Sequence, residues 1–137
     1  MRGIIYWTIL IIGFPIALMC ILSLLLIQLG LVEPDPKPWN WPTVYVMDIF
    51  YGIALITQLI GFIYKTSWDY ILTIAVAGYS IFTFFQSALE TMLDIAGIFD
   101  APISNAPFVL PFMMLGMMMG LLMMFYAVTY KDHWIRI

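Results

Sequence analysis

The sequence contains few charged residues. Only 9% of its 137 residues are Asp, Glu, Lys or Arg, whereas 64% are hydrophobic and the mean hydropathy is +1.03. Soluble domains carry about 25% charged residues, and a soluble fold of this size would expose apolar surface that it cannot bury. The composition therefore excludes soluble enzymes, secreted disulfide scaffolds and disordered tails. The net charge of −3 argues against a nucleic-acid partner, which needs a basic surface.

Cysteine and histidine are also scarce, with one residue of each, Cys20 and His133. A single cysteine excludes a disulfide framework and a cysteine-based metal cluster. His133 follows the last apolar run, so the runs hold no histidine pair for a haem and no histidine-centred metal site. No nucleophile–base motif, nucleotide motif or phosphate-binding glycine loop is present. We therefore predict no enzyme activity, no cofactor and no metal site.

Four apolar runs are long enough to cross a bilayer, which takes roughly 20 helical residues. In chain order they are residues 4–32, 43–64, 70–92 and 108–130. They are too long and too uniformly apolar for barrel strands, which alternate apolar and polar residues. The residues left over are too few and too divided for a second domain. The sequence thus predicts one all-α transmembrane domain over residues 1–137, a bundle of four helices.

The connections support the same division. Residues 33–42 contain four prolines, which predicts an extended loop, and residues 65–69 (KTSWD) predict a tight turn. Residues 93–107 are half apolar, so they are expected to form a short surface helix before Pro107 opens the last span in its first turn. Residues 131–137 are expected to be a short polar tail.

Basic residues in the loops predict which ends face the cytoplasm. Only Lys37 lies on the predicted outer side. The basic residues on the opposite side are Arg2, Lys65, Lys131 and Arg136. This distribution predicts an N-in, C-in topology in a cytoplasmic or organellar membrane. Aromatic residues at the inner ends of the runs, including Tyr126 and Trp134, are expected at the inner interface.

Acidic residues in the runs are the candidate site, because charge inside a membrane is costly. Asp48 enters the second run from the outer side, and Glu90 leaves the third run on that side. Gln86, Glu90 and Asp94 recur at four-residue steps, which places them on one helix face. We predict an outward-open acidic crevice of Asp48, Gln86, Glu90 and Asp94, which suits a cation, a proton or the polar head of a lipid-like ligand. Alternatively, Glu90 and Asp94 reach interfacial water, and Asp48 bonds to a neighbouring helix or to a partner subunit.

The fourth run is rich in methionine, and thioether sulfur suits Cu(I). Methionine is also an adaptable packing residue, and here it covers several faces of the helix, so packing is the favoured interpretation. Gly116 and Gly120 form a GxxxG motif, which permits close approach of another helix without naming it.

The second and fourth runs are similar to those of the emopamil-binding/sigma-2-receptor-like (EXPERA) family. The sequence VMDIF places Asp48 near the outer start of the second span, and Lys65 and Trp68 follow at its inner end. The fourth span opens with Pro107, and Pro111 follows soon after, as in sigma-2-like members. The resemblance implies four spans and a sterol-like or amphiphilic ligand between the helices. Residues 14–18 (FPIAL) lack the first-span acidic residue of that family, so the resemblance does not extend to sterol isomerase activity.

Three functions are compatible with these observations. The favoured one is a non-catalytic accessory subunit of a larger membrane complex, because the spans are apolar on nearly all sides and no catalytic constellation is present. The alternative is a binder or carrier of a small lipid-like ligand or cation through Asp48 and Glu90. The least favoured is an enzyme acting on a membrane lipid. The expected partners are the lipid bilayer and other transmembrane subunits.

Overall fold

The computed structural model of the chain describes residues 1–30, 43–96 and 106–135. It contains four helices: α1 (Arg2–Gln28), α2 (Thr43–Tyr64), α3 (Asp69–Ile95) and α4 (Ala106–Thr129). A single 3₁₀ turn, Lys131–His133, follows α4 within the described residues. The predicted all-α four-helix fold is confirmed. The predicted proline-rich loop and most of the predicted surface helix lie outside the described residues.

The helix bounds lie within four residues of the predicted spans at every end. Helix α2 has the predicted bounds, and α4 begins at Ala106, so Pro107 lies in its first turn as expected. Helix α1 ends at Gln28 rather than at residue 32, because Gly30 adopts a φ of 75°, the left-handed conformation that commonly ends helices. Helix α3 is longer than predicted at both ends, since it begins at Asp69 and continues to Ile95.

The four helices form a ring in chain order. Helix α1 packs against α2 and α4, and α3 packs against α4 and α2, with the largest contacts inside the α1–α2 and α3–α4 hairpins. Arg2 at the start of α1 forms an ion pair with Asp132 after α4, with Nη1 and Oδ2 2.9 Å apart. The two ends of the described chain therefore lie at the same end of the bundle, here called the terminal end. Which side of the membrane it faces remains a prediction from the loop charges.

Glycine allows the α1–α2 hairpin to pack with almost no space between the backbones. A Cβ on Gly52 would lie 2.6 Å from Cγ1 of Ile21 and 2.9 Å from the carbonyl oxygen of Ala17. Real Cβ atoms do not approach other atoms so closely, so only glycine fits at this position. Gly52 is therefore a point of close backbone contact between α1 and α2.

The α3–α4 hairpin repeats this contact. A Cβ on Gly120 would lie 2.9 Å from Cγ1 of Ile81 and 3.1 Å from the carbonyl oxygen of Ala77. Each hairpin thus packs a glycine of its second helix against an Ala-x-x-x-Ile segment of its first helix. Gly116 receives the ring of Phe84 in the same way, with an added Cβ 2.5 Å from Cδ2. The structure therefore identifies α3 as the helix that the GxxxG motif contacts.

The outer surface of the bundle is apolar on every helix. Ile11, Phe50, Phe82 and Val128, one from each helix, are all more than half exposed. All four helices are long and apolar enough to cross a membrane. The chain is therefore a multi-pass membrane protein, and its exposed apolar surface suits contact with lipid.

Candidate functional site

The structure places the four predicted crevice residues in different surroundings. Asp48 on α2 and Glu90 on α3 are half-buried, whereas the Gln86 side chain is exposed. Asp94 lies on α3, and its side chain is outside the described part of the structure. Asp48 near the start of α2 and Glu90 near the end of α3 share the end of the bundle opposite the terminal end. A ligand-binding crevice of these residues remains a prediction.

The methionines of α4 lie on several faces of the helix, as the sequence indicates. Met119 and Met123 are completely buried in the core, whereas Met114 and Met118 are exposed. Met113, Met117 and Met124 are partly buried against the core. Cys20 is also buried. The described residues contain no group of three or more His, Cys, Asp or Glu side chains that could hold a metal ion.

The predicted polar tail is wrong for His133 and Trp134, although Lys131 and Asp132 are exposed as expected. The chain turns back after α4 and inserts His133 and Trp134, which are only 5% and 3% exposed. Tyr126, expected at the inner interface, is likewise buried, with 1% of its surface exposed. These side chains are buried because each packs against the ring of Phe62. The centroid of the Phe62 ring lies between 4.7 and 5.6 Å from those of Trp134, His133 and Tyr126. Burial of these rings outweighs the charges beside them.

The buried carboxylate of Asp69 accepts the hydrogen bond that fixes Trp134 against the bundle. The Trp134 indole N–H donates a hydrogen bond to Asp69 Oδ2 at 2.9 Å, and the Thr73 hydroxyl donates to the same oxygen at 3.0 Å. Gln58 Nε2 donates in turn to the Thr73 hydroxyl at 3.0 Å. This network joins α2, α3 and the tail. Asp69 Oδ1 and Gln58 Oε1 are buried without a hydrogen bond among the described residues.

His133 forms a hydrogen bond to a backbone carbonyl near the C-terminal end of α2. Its Nε2 lies 2.7 Å from the carbonyl oxygen of Phe62, so this nitrogen carries the proton and donates it to the helix end. Nδ1 is then the acceptor for the Tyr126 hydroxyl at 3.0 Å. Both nitrogens of the neutral ring are thus used. Burial lowers the pKa of His133 below its ordinary value, and the nearby cations Lys65 and Arg2 act in the same direction.

Arg2 links the start of α1 to this cluster. Its Nε donates a long hydrogen bond of 3.4 Å to the Tyr126 hydroxyl, and its guanidinium carbon lies 5.2 Å from the centre of the Tyr130 ring. The hydrogen bond from Arg2 to Asp132 holds the pKa of that carboxyl below its usual range. A continuous series of hydrogen bonds therefore runs from Arg2 on α1, through Tyr126 and His133, to the Phe62 carbonyl oxygen near the end of α2.

Lys65 directly follows the last residue of α2 and has a backbone conformation that residues other than glycine rarely adopt. Its φ is 57°, and the Thr66 N–H donates to the carbonyl oxygen of Gly61 at 3.1 Å, the long-range bond of a Schellman turn. Glycine is the usual residue here, and a side chain costs about 1 kcal/mol. The predicted tight turn is therefore present, with a lysine at its strained position.

These elements line an open pocket of about 430 Å³ at the terminal end, here called the terminal pocket. Its lining residues are Arg2, Gly3, Tyr6, Lys65, Tyr126 and His133. The lining contains two permanent cations and no carboxylate. Sequence reasoning missed this pocket because its residues come from α1, the α2–α3 turn, α4 and the tail. The clustering of Arg2 and Lys65 on one predicted side was the one signal for it.

A second polar contact lies deeper, in the α2–α3 interface. Ser80 donates to the carbonyl oxygen of Val76 at 2.7 Å, so the Tyr51 hydroxyl is the donor in its short hydrogen bond to Ser80. The Gln58–Thr73 bond lies in the same interface. These bonds satisfy buried hydroxyls between two membrane helices, which is a structural role.

Comparisons of the chain with family models, with curated proteins and with solved structures found no match. The resemblance to the EXPERA family therefore remains a prediction from the quoted residues.

Proposed function

We propose that the chain is a non-catalytic membrane protein that serves as a small accessory subunit of a larger membrane complex. The observation that carries this proposal is the exposed side chain of Gln86 on α3. Gln86 makes no hydrogen bond to another described residue, and it lies nine residues before the end of α3. At 1.5 Å per residue it is roughly 14 Å from that end, at hydrocarbon depth.

An exposed amide at this depth has no partner in lipid. Leaving such a group without hydrogen bonds in an apolar medium costs roughly 2 kcal/mol or more. Amide side chains in membrane helices bond across to other helices. Around Gln86, the exposed residues Phe82, Phe85 and Leu89 supply apolar contact area on the same side of α3. Gly78 lies two turns before Gln86, and a Cβ added there would meet nothing within 4 Å. Because glycine has no side chain, the backbone of another helix can approach α3 closely at this position.

The test is co-purification from native membranes in mild detergent, followed by native gel electrophoresis and mass spectrometry. We expect stoichiometric membrane companions with the wild-type chain and their loss with Gln86→Leu. Thr57→Val is the matched control, because the Thr57 hydroxyl is also exposed but already donates to the Ile53 carbonyl at 2.9 Å. A wild-type chain that migrates alone contradicts the proposal, as does a Gln86→Leu variant that keeps its companions.

A second candidate is binding of a cation or a lipid-like ligand at the predicted crevice. It is favoured by Asp48, which is half-buried yet makes no hydrogen bond to another described residue. A carboxylate within a membrane helix is costly unless something pairs with it. NaCl or CaCl₂, compared with choline chloride, should then raise the melting temperature of the wild type but not of Asp48→Asn or Glu90→Gln. Asp132→Asn, at the opposite end, should keep the response; an unchanged response in all variants eliminates this candidate.

A further inference from the structure

The terminal pocket combines positive charge with unused hydrogen-bond donors. We propose that it binds the phosphate of an anionic lipid headgroup from the leaflet at this end of the bundle. The pocket has a volume of about 430 Å³ and is lined by Arg2 and Lys65 with no acidic residue among its lining. Asp132, which pairs with Arg2, is not part of the lining. Charge complementarity therefore favours an anion.

Lys65 is the residue most clearly available to a ligand. Its side chain is exposed, and the salt bridge found among the described residues belongs to Arg2 and Asp132 rather than to Lys65. The lysine occupies the left-handed position of the turn, with a φ of 57°, where glycine would be less strained. Strained positions of this kind cluster at ligand sites.

Arg2 and Tyr6 add further donors. Of the five N–H groups of the guanidinium, the contacts of Arg2 with described residues use Nε and Nη1, which leaves Nη2 available. The Tyr6 hydroxyl makes no hydrogen bond to another described residue, although its ring stacks on Phe62 with centroids 5.0 Å apart. Guanidinium, ammonium and phenol groups together match the oxygens of a phosphate.

The surroundings of the terminal pocket identify the source of the phosphate as a lipid. Ile4, Trp7 and Tyr64 are all more than 60% exposed. The first two lie within one helical turn of lining residues on α1, and Tyr64 precedes Lys65 directly. Tryptophan and tyrosine prefer the headgroup level of a bilayer. An acyl chain can lie along this apolar surface while its headgroup occupies the pocket, whereas a small water-soluble phosphate gains nothing from it.

The experiment measures lipid binding to the whole chain by native mass spectrometry in detergent. Phosphatidylglycerol is titrated in competition with phosphatidylcholine, and glycerol 1-phosphate is tested separately. The variants are Lys65→Gly and Lys65→Asn, since both residues accept a positive φ and neither is charged. The matched control is Lys131→Gln, which removes a cation at the same end whose Nζ lies 5.5 Å from the Tyr70 ring centre and outside the pocket lining.

We expect the wild type to prefer phosphatidylglycerol and both Lys65 variants to bind it about fivefold more weakly, the loss expected for one interfacial cation. Lys65→Gly should also melt at a higher temperature, which separates a lost contact from misfolding. The Lys131→Gln variant should bind as the wild type does. Equal binding of the two lipids by the wild type, unchanged affinity in both Lys65 variants, or equally tight binding of glycerol 1-phosphate overturns the proposal.

Discussion

The indole N–H of Trp134 donates a 2.9 Å hydrogen bond to Asp69 Oδ2, across 65 positions of sequence. Through this bond the segment after α4 is tied to the first residue of α3. Both side chains are buried, and Asp69 has no exposed surface. The segment that carries His133 and Trp134 is thus part of the bundle.

Replacing Trp134 by Phe should destabilise the bundle. The ring contact with Phe62 is largely kept, but the buried Asp69 loses a donor, and a hydrogen bond to a charged group contributes about 1.5–3 kcal/mol. The free energy of unfolding, measured by denaturant titration in mild detergent, should fall by about that amount. Trp7→Phe is the control, because Trp7 is exposed and should change stability little. Equal stability of the two variants would show that the Trp134–Asp69 bond contributes nothing.

Stability should depend on the protonation of His133. Burial lowers its pKa in the folded state, so below an ordinary unfolded-state pKa of about 6.5 the unfolded chain binds more protons than the folded chain. The contribution of neutral His133 is therefore complete above about pH 6.5 and declines as the pH falls toward the folded-state pKa. A proton on Nδ1 also removes the acceptor of the Tyr126 hydroxyl.

Melting temperatures in detergent between about pH 7.5 and pH 5.5 measure this dependence. The wild type should lose more stability on acidification than His133→Asn does, and His133→Asn should be the less stable of the two at neutral pH. The Arg2–Asp132 pair is not a competing cause, because the pKa of Asp132 is lowered and its contribution is lost only at more acidic pH. The same pH dependence in the wild type and in His133→Asn contradicts the assignment.

Two glycine variants test the close packing of the first hairpin. Gly52→Ala places a methyl group 2.9 Å from the backbone oxygen of Ala17, so α1 and α2 must move apart, at a cost of about 1–3 kcal/mol. Gly78→Ala is the matched control, because a Cβ there meets nothing within 4 Å and alanine favours the helix by up to about 1 kcal/mol. Thermal unfolding should therefore separate the two variants in opposite directions. Similar melting temperatures would show that this contact is not close-packed.

Much of the fold follows from the sequence because membrane helices are specified by long, uncharged runs. The bounds of α2 are those predicted, since Pro42 precedes it and Lys65 follows it. The contact of a glycine with an Ala-x-x-x-Ile segment, which both hairpins share, is harder to predict from the sequence. Ala and Ile are spaced by four residues in both α1 and α3, but such pairs are common in apolar helices and gain meaning only beside Gly52 and Gly120.

The terminal end could not be predicted in the same way. Residues 131–135 contain Lys131 and Asp132, and a short charged segment after a span normally lies in water. His133 and Trp134 are nevertheless buried, because they contact Phe62 and Asp69, which are distant in sequence and adjoin the tail only in the folded bundle. The composition of one segment cannot reveal a partner supplied by two other helices.

The four-span arrangement is tested most simply by the side of the membrane on which each connection lies. Single cysteines are introduced by Lys65→Cys, Lys131→Cys or Asp100→Cys in a Cys20→Ser background, and intact oriented vesicles are treated with a membrane-impermeant maleimide. We expect positions 65 and 131 to be labelled from one compartment and position 100 from the opposite one. Labelling of positions 65 and 100 from the same compartment would contradict the four-span arrangement.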